Sequence, residues 1–549
     1  MIIELLGKKQ DFSTPRTVRQ ILAEMAPETA GQALGCFQGG KALELTEIIS
    51  ESCRLHPITF QNEEGRRIYE RSLRFVLLMA VKHLYPHLHL RIEHSIGYGV
   101  YMRFLEQDAN EGMVSALQAE MEKIVQADLP FIQEKWSREQ AIAYFRETDH
   151  LDKVRLLSYR PYDYFRVYRC GGLTEYFYGA MLPSTGFVPH FQLMFHTPGM
   201  VLQMPSPLSP DRPAPYVSRP NILSTFRQSN HWCDILGCMN AADLNDMTVG
   251  GRLPDFIRVN EALHDQSIGD IARGIAKKNA RAVFVAGPSS SGKTTFSNRL
   301  CIHLRVLGLH PVLISLDDFY LDRDLLPLEA DGKPDLEALS ALDVPLLRQC
   351  LADLLDGKEA IMPRFDFSVS RRAKEGYPLR LRPDQPLILE GIHGLNPALH
   401  EGFDADLIAK VYISELTCLN LDHHNRIRTT DARLLRRIVR DHQFRNTPPE
   451  ETLDMWNSVR RGEEKWIFPY QEQADFVFNS ALHYELPVLK IYAYELLKKI
   501  PEDSPHHLIS RRLLKILHYI LPATQEALQE IPPLSLLREF IGGCTLYGK

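Results

Sequence analysis

Residues 283–295 read Val-Phe-Val-Ala-Gly-Pro-Ser-Ser-Ser-Gly-Lys-Thr-Thr, an apolar run that ends in Gly287, four residues, Gly292, Lys293 and Thr294. This spacing is that of a loop that cradles phosphate between a strand and a helix. The two glycines let the backbone turn tightly around a polyphosphate. Ser289, Ser290, Ser291 and Thr295 then bring their N–H groups and the positive end of the next helix to the anion. Lys293 is placed to reach the β- and γ-phosphates, and the Thr294 hydroxyl to ligate the Mg2+ that bridges them. Phe296, Leu300, Leu304 and Leu307 continue at near-helical spacing.

Two further β-rich runs end in acids: Val312-Leu-Ile-Ser-Leu before Asp317-Asp318-Phe319-Tyr320, and Pro386-Leu-Ile-Leu before Glu390. A third run covers Leu407 to Ile413. Carboxylates at the carboxyl ends of parallel strands face the ligand crevice, and strands alternating with helices predict an α/β, doubly wound parallel sheet. Arg433, Arg436, Arg437, Arg440, Asp441 and Arg445 fall on one helical stretch before Pro448-Pro449, with Arg433, Arg437 and Arg440 on one side.

At 549 residues the chain exceeds one core and is expected to hold two to four domains. Its net charge of −6 argues against a strongly basic nucleic-acid protein. No basic leader precedes the first apolar residues, and Leu73–Val81 is too short to span a bilayer, so a cytoplasmic protein without a membrane partner is expected. Nine cysteines occur without Cys-x-x-Cys spacing and are read as reduced thiols.

In chain order, residues 1–60 read as a small β-grasp module with a helix near Thr17–Met25. Residues 61–221 read as an α+β domain with a helix from Arg67 to Leu84, ending in a solvated linker at 196–221, where seven prolines crowd. The phosphate-binding domain is assigned to 222–500 and a helical extension without evident chemistry to 501–549. His83, His87, His89 and His94 cluster in sequence. Pro86 breaks their helical register, so satisfied or exposed histidines are expected rather than a metal site.

Two resemblances follow from particular blocks. Gly65-Arg-Arg-Ile-Tyr-Glu-Arg-Ser-Leu, Leu84-Tyr-Pro and Glu93-His-Ser-Ile-Gly-Tyr-Gly-Val-Tyr resemble the N-terminal (TGS) and second additional domains of threonyl-tRNA synthetases. The four positions that form that family's zinc-type editing centre are here Arg71, Phe75, Cys170 and Thr174. The resemblance therefore implies lost editing and a front end that binds or regulates, with RNA or a small ligand as its partner.

Gly-Pro-Ser-Ser-Ser-Gly-Lys-Thr-Thr, Ser-Leu-Asp-Asp-Phe-Tyr, Asp335-Leu-Glu, Pro363-Arg-Phe-Asp-Phe, Glu390-Gly-Ile-His and Arg436-Arg-Ile-Val-Arg-Asp resemble the uridine kinase and phosphoribulokinase family of P-loop kinases over roughly 280–500. The resemblance implies ATP, Mg2+ and a hydroxyl acceptor. It makes Asp317 the base, adds Asp317 and Glu390 to Thr294 as metal supports, and makes Arg440 and Arg445 a phosphate clamp. Arg437, Tyr320, Glu337 and Phe365 fall to the acceptor, Glu337 at ribose hydroxyls and Phe365 stacking on a base. Ser368-Val-Ser-Arg-Arg lacks the family's base-reading histidine, and Thr447 replaces its base-contacting arginine. A nucleoside kinase is the leading expectation. A sugar-phosphate kinase using Arg371, Arg372 and Lys374, or an RNA-binding NTP switch, are the rivals, and a homo-oligomer is compatible with each.

Overall fold

The computed structural model describes residues 1–328, 332, 334–366 and 369–547. Its first unit is a five-stranded sheet in the order Lys8–Asp11, Ile2–Leu5, Cys53–Ile58, Gly35–Gln38, Lys41–Leu43, with the first and last long strands parallel. The helix Val18–Met25 covers it, burying Val18, Ile21, Leu22 and Met25. Thr17 starts that helix by accepting from Gln20 N–H, while the Gln20 side chain accepts from Thr17 N–H. This is the β-grasp arrangement expected.

The helix Glu63–Leu84 is buried on nearly every side because it runs between that sheet and a second one. The second sheet is antiparallel, in the order Gln192–His196, Gly199–Gln203, Gly99–Phe104, Leu90–Ile96. Here the reading of 196–221 as a solvated linker is corrected. Met200, Val201 and Leu202 have no exposed surface in an inner strand, and Pro205–Ser206 pairs with Ser209–Pro213. Pro205 and Pro213 sit at strand ends and Pro198 and Pro207 in turns, where no ladder N–H is needed, and the apolar residues between them stabilise the sheet. Of the expected linker, 214–219 lacks regular structure.

The phosphate-binding half is built on a five-stranded, wholly parallel sheet in the order Val312–Ser315, Leu387–Glu390, Ala282–Ala286, Ile408–Ser414, Phe476–Asn479. The chain leaves the central strand, skips a position, and returns to fill it, so strand order reverses beside Ala282–Ala286. A crevice opens outside the carboxyl ends at such a point. The helices Leu253–Lys278, Lys293–Val306, Thr429–Arg445 and Glu485–Lys498 bury one face of this sheet in a core that also takes Phe145, Phe165 and, from the C-terminal segment, Leu513, Leu536 and Phe540.

Between the halves, the loop after Ser414 is interlocked with the front end. Ile92 N–H donates to His423 O at 2.9 Å, and Asn420 Nδ2 to Ile92 O at 2.6 Å. Lys153, 1% exposed, bridges Glu175 at 2.9 Å and Asp422 at 3.0 Å. All nine cysteines are free thiols. No helix among the described residues is long and apolar enough to cross a membrane.

Candidate active site

The phosphate loop leaves the central strand at Gly287, where a Cβ would lie 2.1 Å from the Ile413 carbonyl oxygen. Gly292 has φ +86° and begins the helix Lys293–Val306. Only glycine serves both needs, a close approach at one end and a left-handed turn at the other. Lys293 Nζ donates to Pro288 O at 3.3 Å, folded back along the loop it serves. The hydroxyls of Ser290 and Ser291 are buried without partners, as groups set aside for a ligand would be.

Glu390 lies in register with Val285 on one side and Ser315 on the other, so the ends of three strands meet at one place. Thr294 Oγ1 donates to Glu390 Oε1 at 3.2 Å, and Glu390 Oε2 is buried with no partner. Two residues past Ser315, Asp317 N–H donates to Ser315 Oγ at 3.2 Å, which turns the chain and holds Asp317 over the crevice.

The electrostatics gather these groups. Burial pushes the Asp317 carboxyl above its ordinary value against the pull of Lys293, and Asp318 adds to the rise. Glu390 is pushed up to about 7 by burial, with Asp317 and Glu539 adding and Lys293 opposing. Glu337 is pushed up to about 7 by burial, then by Glu463, against Arg437 and Lys293. One lysine thus faces three desolvated carboxylates. A divalent cation fits this deficit: Thr294, the orphaned Glu390 oxygen and Asp317 are the groups that would hold it. Among the described residues no three His, Cys, Asp or Glu side chains gather to hold a metal.

The arginine helix Thr429–Arg445 holds the loop from behind. Arg433 Nε donates to Ser289 O at 2.9 Å, Arg437 Nη1 to Ser289 Oγ at 2.7 Å, and the Arg433 guanidinium pairs with buried Glu463. Arg436 reaches Ser480 O at 2.7 Å and pairs with Glu485. Arg440 and Arg445, expected on phosphate, instead join Arg437 around Asp441, at 2.8, 3.4 and 3.2 Å. That carboxylate has no exposed surface and is shared by all three cations.

Among the residues expected at the acceptor, Tyr320 Oη donates to Leu336 O at 2.9 Å, and the Tyr320 and Phe365 rings lie 6.0 Å apart, tilted by 58°. Gly462 makes room for Glu337, whose Cβ would be 2.4 Å from a Cβ placed there. Phe367 and Ser368 lie outside the described residues.

The C-terminal extension packs on the phosphate-binding domain and reaches the loop itself. Glu539 accepts from Thr295 N–H at 3.3 Å and from Thr295 Oγ1 at 2.8 Å, Tyr547 Oη meets the same hydroxyl at 2.8 Å, and Leu536 packs on Gly292. At the other end of the loop, Ser289 N–H donates to Glu463 Oε1 at 3.1 Å. Glu463 and Glu539 carry no sequence signal for these roles, since neither stands in a motif with the loop it meets.

Residues 282–486 match the model of the Phosphoribulokinase / Uridine kinase family. The N-terminal part is similar to threonine–tRNA ligases: that of Desulforamulus reducens is 31% identical over 190 residues, 34% of this chain and 30% of the ligase. The chain thus spans about a third or less of the curated relatives it matches. Among solved structures, a possible uridine kinase from Bacillus stearothermophilus aligns with TM-score 0.27 and 18% identity over 39% of this chain and 98% of that one. D-glycerate 3-kinase from Cryptococcus neoformans aligns with TM-score 0.21 and 19% identity over 46% and 87%. The chain is a fusion of a threonine–tRNA ligase-like front end to a domain of the phosphoribulokinase and uridine kinase type.

Proposed function

We propose that this protein transfers the γ-phosphoryl group of ATP to a hydroxyl of a nucleoside or similar ribose-bearing molecule, with Asp317 as base. The observation that carries this is the meeting of the loop, Glu390 and Asp317 at the ends of three adjacent parallel strands, with Lys293 among the carboxylates.

Loop amides and Lys293 would bind and orient the triphosphate, and in-line positioning supplies most of the rate. Thr294, Glu390 and Asp317 would hold Mg2+, which would supply positive charge against the phosphates. Asp317 would align the attacking hydroxyl and take its proton, and its raised affinity for a proton suits that task. Glu337 would accept from vicinal hydroxyls beside Phe365. Arg440 and Arg445 would leave Asp441 for the phosphates as the crevice closes, while Arg437 approaches the acceptor.

Support for a nucleoside over a sugar phosphate comes from the rival's own cations. Arg371 is paired with Asp324 at 2.9 Å, and Arg372 with Asp343 at 3.0 Å, where it also reaches Phe319 O and Tyr320 O. Arg372 therefore has a structural post. The test is a purified-protein assay with ATP, Mg2+ and matched panels of nucleosides and sugar phosphates, run beside Lys293→Ala. Transfer to a nucleoside that disappears in the variant is expected. Transfer confined to sugar phosphates, or equal in both proteins, refutes the reading.

A further inference from the structure

A cavity remote from the phosphate loop opens elsewhere in the molecule. It encloses about 340 Å3 between the front end, the loop Leu421–Arg428 and the helix His507–His518. Eleven lysine and arginine side chains line it against five carboxylates. Those carboxylates are already overdrawn. Glu70 alone serves Arg74 at 3.7 Å, Arg426 at 3.2 Å and Arg428 at 2.5 Å, while Asp431 is shared by Arg67 at 3.3 Å and Arg512 at 3.1 Å.

Among the described residues Arg160, Arg166, Arg511 and Lys515 have no carboxylate within the 4.0 Å of an ion pair. The Nε atoms of Arg74, Arg160 and Arg426 are buried without a partner. Lys515 is open to the cavity, yet the protein around it, with Arg511, Arg71, Arg160 and Arg166, brings its ammonium down to about 8. A buried donor left unmade and like charges left uncompensated are both costly, and both would be relieved by an anion.

We propose that this cavity is a binding site for a small organic phosphate or polyphosphate carrying at least two negative charges, held between Arg160, Arg511 and Lys515 on one wall and Arg74 and Arg426 on the other. Tyr164 and Tyr178 add aromatic surface for a ring on the same ligand. Its size suits one mononucleotide-sized molecule, and the chain's net charge of −6 does not favour a long polyanion. Arg71, where the synthetase-like resemblance would require a zinc ligand, is here a cation on the cavity wall that pairs with Glu64 at 2.6 Å.

The test is equilibrium dialysis of the full chain against radiolabelled pyrophosphate and, in a second arm, radiolabelled adenosine monophosphate. Lys293→Ala is the starting protein, so that the phosphate loop is disabled. Arg511→Glu with Lys515→Glu, both exposed on one helix and so tolerated by the fold, is then added. Losing charge-assisted hydrogen bonds to the anion is expected to weaken binding ~10- to 100-fold. Binding in the pyrophosphate arm alone identifies a polyphosphate, and binding in the monophosphate arm an organic monoester. No binding of either probe at ~1 mM, or binding that the charge reversal leaves unchanged, overturns the proposal. So does an outcome in which only transfer RNA binds and both small probes fail to compete with it.

Discussion

The Glu539 side chain on the phosphate loop sets up a measurable competition. Glu539 occupies Thr295 N–H and Oγ1, donors that a triphosphate needs. A charge-assisted hydrogen bond is worth ~1.5–3 kcal/mol net, and Glu539 is half-buried, which places it at the lower end. A ligand that must first displace this contact has its apparent dissociation constant divided by the fraction of molecules with free donors. At ~1.5 kcal/mol that fraction is about one in ten. Glu539→Gln keeps the shape, leaves a weaker neutral acceptor and removes a charge that also raises Glu390. ATP should therefore bind ~5- to 10-fold more tightly. The assay is calorimetric titration of ATP with Mg2+ into the parent and the variant, with thermal unfolding of both to confirm an intact fold. An unchanged dissociation constant at unchanged stability refutes the reasoning, and weaker binding would make Glu539 part of the site rather than its competitor.

Asp317→Asn should reduce turnover ~10²- to 10⁴-fold, the usual worth of a positioned general base, while calorimetry shows ATP still bound. Glu390 is held near 7 in the fold against an ordinary 4.5, so the native state takes up a proton that the unfolded chain does not. Its contribution to stability is complete below the ordinary carboxylate range and is lost as pH rises through about 7. Thermal unfolding scans from acid to mildly alkaline pH should show this slope, flattened in Glu390→Gln. Lys153→Ala would strand Glu175 and Asp422 in a dry interface, a loss of ~3–5 kcal/mol, seen as an earlier unfolding onset and exposure of Trp136, the one tryptophan of the front end.

Strand, loop and helix around Lys293 were legible because each is specified within a few neighbours: glycine where a Cβ has no room, β-branched residues before it and helical spacing after it. The acids at Asp317 and Glu390 were legible for a similar reason, as each closes an apolar run. What escaped were pairings across long stretches of chain. Thr295 and Glu539 are 244 residues apart, and no local pattern records that one will meet the other. The hairpin at Gly199–Gln203 was hidden by its prolines, since composition weighs them equally wherever they sit, whereas a sheet tolerates them at turns and edges. Arg440 and Arg445 were placed on the right helix, and their present partner Asp441 was in view, but side-chain direction is set by the cavity around a helix rather than by its own spacing.

The helix Thr429–Arg445 has Asp431 gripped by Arg67 of the front end at one extremity and Arg437 at Ser289 farther along. This makes the two ancestral pieces a poor candidate for dissection. Cutting near residue 222 would hand each product a raw face of arginines and carboxylates whose counterparts had left with the other half. Such fragments should come out of cells as aggregates, and mixing them after purification should restore little. Whatever history brought the pieces together, they now form a unit to be inherited, expressed and inactivated whole.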